Sequence, residues 1–134
     1  MTPDGSTPAS PDTTWERLSE TGGASPELRC AADAALERNA RDAVVLDLRG
    51  LSDVTDYFLI LTGDSDTHTR AISENIVTRM KEAGHRPVGI EGMNQGRWVL
   101  MDFVGLIVHV FLAPVREFYR LERLWGDAPA YELE

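Results

Sequence analysis

Apolar residues along this chain switch between helical and strand spacing, and each switch marks an element. After Ser25-Pro26-Glu27, the residues Leu28, Ala32, Ala35 and Leu36 recur at helical spacing up to about Ala40. Ser25 suits the cap, Pro26 the first helical position, and Glu27 the positive end of the helix dipole. Ala43 to Leu48 and Tyr57 to Thr62 are β-branched, apolar runs that read as buried strands. The short turn region from Gly50 to Asp56 sets these two antiparallel. Gly63-Asp64-Ser65-Asp66 then breaks the second strand and opens a long helix capped by Asp66 or Ser65. Ile72, Ile76, Val77, Met80 and Ala83 line one face of that helix, and Gly84 with Pro87 stops it. Val88 to Glu91 is a short strand reached by a helical crossover, so it is expected to run parallel to the strand before it. Arg97 to Met101 and Leu106 to Leu112 form two more strands around a tight Phe103-Val104-Gly105 turn. Pro114 starts a last helix with Val115, Phe118, Leu121 and Trp125 turned inward.

This order of helix, two strands, helix, three strands and helix predicts an α/β fold. Its centre is a mixed sheet of about five strands covered by helices. Residues 1–24 are rich in Thr, Ser, Pro, Gly and Asp and read as a disordered tail, with Trp15 and Leu18 the exceptions. The folded part is expected over 25–127, followed by a short acidic tail over 128–134.

Charge narrows the choice of partner. With 13 basic and 22 acidic residues the net charge is −9. Nucleic-acid affinity rests on Lys and Arg displacing counterions, so this balance argues against DNA and favours a basic protein surface. No apolar run approaches the roughly 20 residues that span a bilayer. The first residues lack a signal peptide's basic start and apolar stretch, so a cytoplasmic protein without a membrane partner is expected. Cys30 is the single cysteine, which excludes an internal disulfide and a cysteine metal cluster.

Candidate chemistry is sparse. Asp64-Ser65-Asp66 after Gly63 is the most enzyme-like feature, because a Gly-Ser turn at a helix start can cradle phosphate and two carboxylates can hold Mg²⁺. Nucleotidyltransferases follow such a turn, about ten residues on, with an acidic pair on a strand. Here that position reads Glu74-Asn75-Ile76-Val77 inside a helix, so helix capping is the expected role, with a nucleotide-binding enzyme as the alternative. His68, His85 and His109 share no metal-ligand spacing, and no nucleophile-His-Asp set is readable. No cofactor, metal or catalytic residue is therefore expected. His109 alternates with Ile107 and Phe111 and reads as a hydrogen-bonded structural residue. Arg116, Arg120 and Arg123 recur at helical spacing, but Glu117 and Glu122 among them indicate a solvated face with internal ion pairs. In Arg97-Trp98-Val99-Leu100-Met101-Asp102, alternation puts Trp98, Leu100 and Asp102 on one face and Val99 and Met101 on the other. Trp98 fits either a core position or an interface hot spot.

Seven segments, in order and spacing, resemble the Iojap/RsfS family of ribosomal silencing factors over about residues 25–127. They are Val45 to Leu51, Thr55 to Phe58, Thr62 to His68, Gly89 to Gly92, Trp98 to Asp102, Ile107 to Phe111 and Arg116 to Gly126. The resemblance implies a nucleotidyltransferase-like fold without the catalytic carboxylates. It also implies binding to the large-subunit ribosomal protein L-fourteen, steric blocking of subunit joining on the large ribosomal subunit, and a homodimer in the free state. The family's partner-facing segment carries over onto Trp98, Leu100, Asp102 and Phe103. Family members usually have Tyr where this chain has Phe103, so a hydroxyl contact is absent there.

Overall fold

Ser25 opens the first described element as its residue type implies. Its hydroxyl accepts the Leu28 N–H at 3.1 Å, and helix α1 runs Pro26–Glu37. The computed structural model describes residues 25–133, apart from the side chains of Phe118, Tyr119 and Glu122; the expected tail carrying Trp15 and Leu18 lies outside them. Leu28, Ala31, Ala32, Ala34 and Ala35 form the buried stripe of α1, and these small side chains let it pack closely on the next helix. Asn39, at φ +60°, turns the chain out of α1 in the left-handed conformation that Asn tolerates.

Strand β1 (Arg41–Asp47) leads by a turn into β2 (Tyr57–Gly63), and helix α2 (Asp66–Glu82) follows. Then come β3 (Gly89–Glu91), β4 (Trp98–Asp102), β5 (Leu106–Leu112), α3 (Ala113–Tyr119), α4 (Leu121–Leu124) and β6 (Ala130–Leu133). Among the described residues the sheet has six strands, in the order β3-β4-β5-β2-β1-β6. β2 and β5 are parallel, from Tyr57 opposite Leu106 to Gly63 opposite Leu112; the other neighbours are antiparallel.

The structure departs from the sequence reading at three places. The segment expected as an acidic tail carries β6, which pairs with β1 at Val45 opposite Tyr131 and sends Leu133 into the core. β3 does run in the same direction as β2, but it lies at the sheet edge against β4, with β4 and β5 between them. The last helix is two short ones, because Arg120 sits at φ +48° between α3 and α4.

Both faces of the sheet are apolar, but they are covered differently. On one, α1 and α2 close over Val45, Leu59, Leu61, Val99, Met101, Val108 and Val110 to make the main core. On the other, α3 packs against β2 and β5, and Val44, Leu46, Ile60, Phe111, Leu121 and Ala128 form a smaller core with Trp125 half-buried beside it. Gly63 lets the start of α2 approach the sheet, since a Cβ there would stand 2.5 Å from the Thr69 hydroxyl.

Candidate functional site

The alternation read in β4 is realised. Val99 and Met101 are buried under the helices, while Trp98, Leu100 and Asp102 face the other side and remain half-buried. At about 3.4 Å per residue this row spans roughly 14 Å. It lies beyond the strands that α3 covers, so the three side chains form an accessible strip beside the smaller core.

Trp98 is held in place from beneath. It lies opposite Phe111 in the β4–β5 pair, with ring centroids 4.9 Å apart. Its indole N–H donates to His109 Nδ1 at 3.1 Å. His109 is 3% exposed, and its ring stands edge-on to Phe58 at 4.5 Å. Burial pulls the imidazole from the ordinary 6.5 down to about 4, so the ring is neutral near pH 7. A neutral ring accepting at Nδ1 carries its proton on Nε2, which is buried with no hydrogen-bond partner among the described residues. Among the described residues His109 is thus hydrogen-bonded at one ring nitrogen only. Its tie to Trp98 is set by strand register, which alternation within one strand does not reveal.

Asp102 closes the β4–β5 turn. Its Oδ1 accepts the Val104 N–H at 2.8 Å, and Phe103 N–H reaches the Leu106 carbonyl at 2.8 Å. The second carboxylate oxygen of Asp102 is engaged by no described residue. Phe103 does not join the strip: it is 5% exposed and belongs to the main core under the helices. Strand parity explains this, since 99, 101 and 103 share a face and 98, 100 and 102 share the other. Phe103 thus anchors the turn from behind.

The Gly63-to-Asp66 turn is occupied by internal pairing. Ser65 is the cap of α2, accepting the His68 N–H at 3.0 Å. Asp64 Oδ1 meets Arg41 Nε at 2.6 Å, and Asp66 lies 3.8 Å from Arg70. His68 is fixed between the Asp64 N–H at 2.9 Å and the Arg38 carbonyl at 2.7 Å. Among the described residues no group of three or more His, Cys, Asp or Glu side chains converges as metal ligands would. Arg116, Arg120 and Arg123 come together with Arg41 around a recess of about 550 Å³, lined also by Asp42, Glu117 and Glu132. Arg116 donates to the Asp42 carbonyl at 2.6 Å and the Thr62 hydroxyl at 2.7 Å, and Arg120 pairs with Glu117. These contacts fit internal pairing better than an open phosphate site.

The family described as "Ribosomal silencing factor during starvation" matches residues 23–134. Ribosomal silencing factor RsfS of Bacillus subtilis is 43% identical over 107 residues, covering 80% of this chain and 91% of that protein. A crystal structure from Chromobacterium violaceum superposes with a TM-score of 0.73 at 35% identity, covering 75% of this chain and 83% of that one. A second, from Bacillus halodurans, has a TM-score of 0.71 at 37% identity and covers 79% and 96%. The match embraces β6 as well as the strip on β4, and on these grounds the chain belongs to the RsfS family of ribosomal silencing factors.

Proposed function

We propose that this chain represses translation without catalysis, by binding the large ribosomal subunit at ribosomal protein L-fourteen and obstructing the small subunit. Trp98, Leu100 and Asp102 are the contacts in this reading, and Phe103 supports them from the core side. The observation that carries it is the half-buried row on β4: an aromatic, an aliphatic and a carboxylate side by side, outside the strands covered by α3. An indole already oriented by His109 and Phe111 loses little freedom on docking, which favours its use as an anchor. A net charge of −9 speeds encounter with a basic ribosomal protein. An interface of about 1,200–2,000 Å² suffices, because occupancy alone excludes the other subunit.

The engagement of Asp64 by Arg41 and of Asp66 by Arg70 speaks against the alternative of a metal-dependent nucleotidyl-transferring enzyme. No described helix is long and apolar enough to cross a membrane. A cytoplasmic placement, and a homodimer that gives way to the ribosomal partner, belong to the same reading.

The test is a sucrose gradient with separated subunits. The protein is expected to travel with large subunits and to reduce re-formation of joined ribosomes when small subunits are added. Leu100→Asp, which places a second carboxylate in the row, is expected to lose both effects while staying folded. Sedimentation with small subunits alone, or none at all, would end the proposal.

A further inference from the structure

Three valines at one end of the sheet are exposed among the described residues. Val54 is 74% exposed in the β1–β2 turn, Val88 is 68% exposed just before β3, and Val104 is 62% exposed in the β4–β5 turn. Backbone bonds tie the three segments into one rim: Val88 N–H reaches the Asp102 carbonyl at 2.8 Å, and Asp56 N–H reaches the Gly105 carbonyl at 3.2 Å. Asp53 and Asp56 are exposed along it, and Asp102 sits where the rim meets the β4 strip. Two cations are near. Arg49 is held by Asp47 at 2.7 Å, and Arg86 is exposed two positions before Val88.

Val104 is the unusual member. It adopts φ +76°, a left-handed conformation that is a genuine outlier for a β-branched residue. The Asp102 carboxylate holds it there through its N–H. The aliphatic Val104 side chain faces solvent among the described residues, and such backbone outliers collect at functional sites.

We infer that Val54, Val88 and Val104, with Asp53, Asp56 and Asp102, form a second docking patch that carries the interface round the end of the sheet. The inference rests on the reading that the β4 strip docks on the large subunit. The occupant is a protein surface with an apolar centre edged by Lys or Arg. The carboxylates along the rim would repel an RNA backbone and attract those cations.

Binding of the full chain to purified large ribosomal subunits tests this, with the melting temperature read on each variant. Val104→Gly removes the side chain and suits φ +76°, so melting is expected unchanged or raised while affinity falls by about fivefold or more. Val88 is 68% exposed, so Val88→Lys is expected to leave melting unchanged while it puts a cation against the partner's cations, with a loss of about tenfold or more in affinity. If both variants bind like wild type while Leu100→Asp does not, the rim is outside the interface and the strip reading survives alone. If wild type itself fails to bind large subunits, both readings fall.

Discussion

Replacing Trp98 with Ala probes the two roles that its position combines. Removing a fully buried Trp side chain costs about 3–5 kcal/mol, and half-burial scales this to about 2 kcal/mol. The indole N–H is also lost, leaving the buried His109 Nδ1 without its donor, which adds about 1 kcal/mol or more. A loss of about 3 kcal/mol lowers the melting temperature by roughly 15 °C in a domain near 100 residues. Binding is affected separately, since an interfacial Trp anchor is worth about 2 kcal/mol or more, over tenfold in affinity. Urea denaturation at 25 °C gives the first quantity, and titration onto large subunits, at a temperature where circular dichroism confirms folding, gives the second. Trp98→Phe divides the stability loss further, keeping a ring on Phe111 but removing the donor to His109. Melting within about 2 °C of wild type would refute the anchoring by Phe111 and His109. A folded Trp98→Ala protein with undiminished affinity would remove β4 from the interface.

Acid should expose His109. Its folded value of about 4 lies below the ordinary 6.5, so as pH falls the unfolded chain takes up this proton first. The stability that depends on a neutral ring is complete above about pH 6.5 and is lost progressively toward pH 4, on the order of 3 kcal/mol in all. Urea midpoints over that range should show a slope that His109→Leu flattens, and equal slopes would refute it. Asp102→Asn keeps the acceptor for the Val104 N–H and removes only the charge. Melting should therefore stay within about 5 °C while the salt dependence of ribosome binding weakens; an unchanged dependence excludes a charge pair there. Leu133→Ala should cost about 2–4 kcal/mol in thermal or urea unfolding, because that residue is 1% exposed in the main core, whereas a mere tail predicts no change.

Signals whose physics is local are legible in the sequence. Ser25 and Ser65 cap helices through their own hydroxyls, and alternation in β4 separates Val99 and Met101 from Trp98, Leu100 and Asp102. The same alternation, carried one residue further, places Phe103 with the core, whereas the family resemblance groups it with the contacts. What stayed hidden depends on partners distant in the chain. Ala130-Tyr131-Glu132-Leu133 is too short and too mixed to read as a strand, and only pairing with β1 makes it one. The edge position of β3 follows from β4 and β5 filling the space beside β2. The break at Arg120 has no glycine to announce it. The Trp98–His109 bond spans 11 residues and exists only in the β4–β5 register.

The strand order has a colloidal consequence. The two strands at the margins, β3 and β6, are three and four residues long, while the interior holds the seven-residue apolar strands β2 and β5. An outer edge of that length offers a visiting chain only roughly two to four ladder hydrogen bonds, too few to template strand-by-strand growth. Glu91 lies exposed on the β3 margin, so two copies approaching by that edge bring like charges together. The apolar strands most suited to fibril formation are thus kept inside short borders, which leaves strand-by-strand growth little to start from.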